Sequence, residues 1–97
     1  MKKQTLNING DNFSNIETFY DEIDRVLTKG LNWKTGHNFD SFNDILRGGF
    51  GVYEFEEPIT IIWTSISKSR LTLGEKQIST LLEIITTHQH IELITKD

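Results

Sequence analysis

Residues 33 to 51 read WKTGHNFDSFNDILRGGFG. Phe39, Phe42, Ile45 and Leu46 fall at i, i+3, i+6 and i+7, the spacing of one face of an α-helix. Asp40, Asn43, Asp44 and Arg47 fall on the opposite face. Asn38, or His37 before it, is positioned to cap the helix N-terminus. Gly48, Gly49 and Gly51 close it with residues suited to left-handed backbone. Asp40 and Asp44 are four apart and so are neighbours, a repulsion of about 0.2–0.5 kcal/mol in an isolated helix. The helix N-terminus offsets part of it for Asp40. A carboxylate pair beside a neutral Asn43 suits a positively charged partner. The plainer reading is a solvated helix face.

Outward from this stretch the pattern alternates between strand and helix. Gln4–Ile8 alternates polar and apolar and predicts a strand, followed by Asn9-Gly10 turn chemistry. Ser14 and Glu17 are spaced as a capping box, with Phe13 placed for a hydrophobic staple. The helix they open carries Ile16, Phe19, Tyr20, Ile23, Val26 and Leu27 on one stripe and ends at Gly30. Asp21, Glu22, Asp24 and Arg25 form its wet side. Ile59–Trp63 is an apolar, β-branched run that suits a strand covered on both faces, with Trp63 in the core. Residues 64–72 read as a loop. Gly74–His88 predicts another helix, and Ile91, Leu93 and Ile94 a last strand, with Lys96 and Asp97 expected to fray. The order β-α-α-β-α-β implies an α/β fold, a small three-stranded parallel sheet with helices packed on it. No repeat or linker divides residues 1–97, which read as one domain.

The net charge is −4, and it is unevenly placed. Between His37 and Glu57 stand Asp40, Asp44, Glu54, Glu56 and Glu57 against Arg47 alone, an excess equal to that of the whole chain. Such a segment argues against direct binding of nucleic acid and for a basic partner. Glu54, Glu56 and Glu57 read as a solvated rim that can steer. The absence of cysteine excludes disulfide and thiolate chemistry and fits a reducing compartment. No stretch resembles a signal peptide or a membrane span, so the cytoplasm is the expected location. Two aspartates on one exposed helix share similar surroundings, which does not suit an acid–base pair, and no enzyme is expected. His37 with Asp40 and Asp44 is a weak metal pattern, and neither a metal nor a cofactor is expected.

Residues 36–46, GHNFDSFNDIL, resemble the G-x-N-[LF]-D-A-[LF]-x-D-x-L signature of the barstar family of ribonuclease inhibitors. The order of elements is similar over roughly residues 5–95. The resemblance implies a barstar-like fold and an inhibitor, or immunity protein, of a small basic ribonuclease or nuclease toxin. It would bind its partner 1:1, with an acidic helix and flanking loops blocking the active site. It implies partner-binding roles for Asp40 and Asp44, with Asp44 entering the phosphate pocket. Asn38 would shape the binding loop, and Gly48 would be a contact glycine. Lys34 stands where the family has a contact tyrosine, with Trp33 adjacent as its substitute. Asn43 replaces a contact tryptophan, and Phe50 stands near another. Thr86 lies near a contact glutamate. These departures point to a partner other than the family's standard ribonuclease. For Trp33 and Phe50 the plainer reading is packing. The alternative for the whole chain is an interaction module of the same fold with a non-nuclease partner.

Overall fold

The computed structural model describes residues 3–28, 36–49 and 52–97. Its elements run β1 (Gln4–Asn9), a 3-10 turn (Gly10–Asn12), α1 (Ile16–Leu27), α2 (Phe39–Leu46), β2 (Ile59–Thr64), α3 (Ile66–Leu73), α4 (Glu75–Thr86) and β3 (Ile91–Thr95). The strands form one sheet in the order β1-β2-β3, and both pairings are parallel. This is the expected α/β architecture with one further helix. The segment 64–72, expected as a loop, is largely α3.

The strand register explains where the core lies. Leu6, Ile61 and Leu93 are level across the sheet, as are Ile8 and Trp63, and these side chains share one face. Thr5, Thr60 and Glu92, with Asn7, Ile62 and Ile94, share the other. The first face is buried under the helices. Phe19 of α1 stacks on Trp63 at 5.4 Å, and Phe13 and Phe42 meet Phe19 edge-on at 5.3 and 5.5 Å. Ile78, Leu81 and Ile85 of α4 complete that core. The second face stays partly open, with Thr5, Asn7 and Glu92 exposed. The apolar run in β2 lies under the helices on one face, while on the other Thr60 is buried and Ile62 half-buried between the flanking strands. Polar residues on the flanking strands make the other face tolerant of water.

Three local expectations are corrected. Asn15, not Ser14, caps α1: its side chain accepts from the Thr18 N–H at 2.9 Å, and Thr18 Oγ1 accepts from the Asn15 N–H at 3.1 Å. The box is the same device moved one residue along, and it leaves Glu17 available elsewhere. Glu22 is buried rather than wet, because Arg25, the Asn9 N–H and the Asn12 amide converge on it at 2.8–3.0 Å. Lys96 and Asp97 are tied down. The Ile66 N–H donates to the Lys96 carbonyl, and both the N–H and hydroxyl of Ser67 donate to the Asp97 carboxylate at 2.9 Å. Gly30, the expected stop of α1, lies outside the described residues.

Candidate functional site

Helix α2 is fixed at both ends. Asn38 caps it, its side chain accepting from the Ser41 N–H at 2.8 Å and donating to the Gly36 carbonyl at 3.2 Å. At the C-terminus the Leu46 carbonyl accepts from the Tyr53 hydroxyl at 2.7 Å and from His90 Nε2 at 2.9 Å. Gly48 has φ +94°, and an added Cβ would strike the Glu54 carbonyl and the Tyr53 ring, so glycine is required there. Phe42, Ile45 and Leu46 are buried, which fixes the opposite face outward.

On that outward face Asp40 and Asp44 are exposed. Neither carboxylate forms an ion pair or a side-chain hydrogen bond among the described residues. Asn43 is half-buried, its Oδ1 accepting from His88 Nε2 at 2.8 Å, so the end of α4 braces α2. Asn38 is exposed as the cap, and Gly48 is buried in the turn. Trp33, Lys34 and Phe50, expected to flank the acidic pair, lie outside the described residues. Thr86 is exposed and donates to the Leu82 carbonyl at 3.0 Å.

Two features were not foreseen. Beyond the C-terminus of α2, Arg47, His88 and His90 line a half-open cavity of about 790 Å³ with Asn43, Glu56 and Thr87. Burial pushes the His88 imidazole below its ordinary range, and the positive fields of His90 and Arg47 add to this against Glu56. The acidic face is thus bordered by a polar groove in which Arg47 is offset by Glu56. The only sequence signal was a pair of histidines two apart after a helix. Phe55 is the second feature, 63% exposed among Glu54, Glu56 and Glu57.

His37 does not join Asp40 and Asp44. It turns back to α1, with Nδ1 3.0 Å from Glu17 and Nε2 3.1 Å from Asp24 and 4.0 Å from Asp21. Its ring stacks on Tyr20 at 5.3 Å. Each ring nitrogen already faces a carboxylate oxygen, the arrangement of an ion-paired imidazolium. No pair of carboxylates on α2 encloses a cleft.

The family model described as Barstar (barnase inhibitor) matches residues 3–92. Among curated proteins none matches the chain. The matched span includes every described element but the end of β3 and the residues after it.

Proposed function

This chain belongs to the barstar family, and from that premise we propose that it is an intracellular inhibitor of a small basic ribonuclease or nuclease toxin. Asp40 and Asp44 of α2 would enter the partner's active site in place of RNA phosphates, in a 1:1 complex that needs no cofactor. The observation that carries this reading is the pair of exposed carboxylates, unpaired among the described residues, on a helix held rigid at both ends. Such carboxylates need no internal ion pair to be broken before they accept Arg or Lys hydrogen bonds. Asn38 and Gly48 would act through the backbone they set, and Asn43 through its place beside Asp44. Trp33, Lys34 and Phe50 remain proposed flanking contacts.

A second reading, an interaction module of the same fold with a non-nuclease partner, is favoured by the groove of Arg47, His88 and His90. That groove carries Arg47 and Glu56 together, so it does not extend the acidic face that a uniformly basic active site would complement.

The test is inhibition of ribonuclease activity by the purified chain, against barnase and against basic nucleases recovered from host lysate. Stoichiometric inhibition of at least one is expected. Asp44→Ala should weaken it by about a hundredfold or more, as when a desolvated charge loses its partner. Binding through Asp44 to a protein without nuclease activity would favour the second reading. Full inhibition by Asp44→Ala would refute the site.

A further inference from the structure

His37 stands immediately before the Asn38 cap, and its backbone is left-handed, with φ +55°. A histidine holds that conformation only when its surroundings select it. Here the selection comes from α1. Glu17 and Asp24 receive the two ring nitrogens at 3.0 and 3.1 Å, Asp21 lies 4.0 Å from Nε2, and Tyr20 supports the plane of the ring. A neutral imidazole has one N–H and one lone pair, so it would leave one nitrogen facing a carboxylate without a proton between them. Only the imidazolium satisfies both contacts. Among the described residues, the charged groups against the ring come from α1, and α2 supplies none within ion-pair distance of the ring.

We propose that His37 is a positioning residue whose charged ring clamps the N-terminal end of α2 to α1. The presentation of Asp40 and Asp44 is thereby coupled to pH and loosens as the ring loses its proton. The clamp itself is a property of the free chain, while its effect on a partner rests on the function proposed above. The same hydrogen bonds, Glu17 first and then Asp24, hold the ring's pKa above its ordinary value against its partial burial. A group raised in this way stabilises its contacts fully below the unfolded value and loses that contribution as pH rises through the folded one. The clamp is therefore fully closed below the ordinary histidine value, for as long as the two carboxylates stay ionised, and opens as pH rises through the raised one.

The experiment uses the free chain and so stands apart from any partner. The His37 ring nitrogens and the backbone amides are followed by ¹⁵N NMR between about pH 5.5 and 9.5. A midpoint above the ordinary histidine value is expected. Hydrogen-exchange protection of the capped Ser41 amide should fall with the same midpoint. It should fall about tenfold for every pH unit by which that midpoint exceeds the ordinary value, as linkage requires. Glu17→Gln should lower the midpoint and shrink the fall. His37→Phe, which keeps a ring against Tyr20, should abolish the pH dependence. His37→Lys, which keeps a positive charge, should restore part of the protection and hold it across the range. A midpoint at or below the ordinary value, or Ser41 protection that is flat through the titration, would overturn the proposal. A clamp that titrates as expected in a chain that inhibits no nuclease would leave this inference standing and remove only the proposed function.

Discussion

The Glu22 carboxylate draws donors from three places: Arg25 on its own helix, the Asn9 N–H and the Asn12 amide. Burial alone would raise its pKa. The Arg25, Asn9 and Asn12 hydrogen bonds outweigh burial and hold it below the usual carboxylate range. When the carboxylate is removed, the 59% exposed Arg25 side chain and the exposed Asn12 amide can return to water, whereas the half-buried Asn9 N–H cannot do so as readily. Glu22→Ala should cost about 1–3 kcal/mol in chemical denaturation, chiefly from leaving the half-buried Asn9 N–H without its acceptor. The lowered pKa means that this contribution is present above the unfolded value and lost as pH falls through the folded one. The stability advantage of the parent over a Glu22→Gln chain should therefore be full at neutral pH and shrink as pH falls through the folded value, in denaturant titrations across pH. Nothing in the helical pattern announces this role. Glu22 lies among polar neighbours in the sequence, and the donors that bury it sit on a turn ten to thirteen residues earlier.

The extent of helix α2 was legible because its signals are local: the apolar spacing, the asparagine cap and the glycine stop. Phe39, however, expected on the apolar face, is 39% exposed in the first turn, where that face has not yet met the core. Asn38→Ala should destabilise the protein by about 0.5–2 kcal/mol, the ordinary cost of losing such a cap, measured by thermal unfolding. Asp44→Ala should change stability by no more than about 0.5 kcal/mol, since it lies on exposed surface. Helix α3 was not legible. Its buried positions are Ile66, Ser69 and Leu73, whereas Leu71 is 87% exposed, so hydrophobicity does not follow the helical period. The centre of its inner face is a serine, kept there because Ser69 Oγ accepts from the Trp63 indole N–H at 3.0 Å. Ser69→Ala should leave that buried N–H without an acceptor, a loss of about 1–3 kcal/mol that denaturation followed by tryptophan fluorescence would detect.

For the molecule as a whole, strand number and parallelism followed from helices intervening between short apolar segments, whereas the order β1-β2-β3 within the sheet is read from the structure. The half-open sheet did not follow either, since it depends on which polar residues of β1 and β3 come level with Thr60 and Ile62. The candidate site divides in the same way. The acidic face was readable from a spacing of four residues, while the groove of Arg47, His88 and His90 unites segments more than forty residues apart. With a net charge of −4 and its excess in one segment, association with a basic partner should be steered electrostatically. Its rate constant should fall with added salt far more than its dissociation rate does, in stopped-flow measurements across ionic strength.

The tether between Asp97 and Ser67 has a bearing on how the chain is built. Ser65 makes no side-chain cap for α3, and the donors at that end are met by residues 30 positions further along. While the polypeptide is emerging from a ribosome, this helix must therefore wait with open amides until the last strand has docked. Helix and sheet are then completed in a single late event, and a nascent chain halted before residue 96 would lack the two acceptors that close the start of α3.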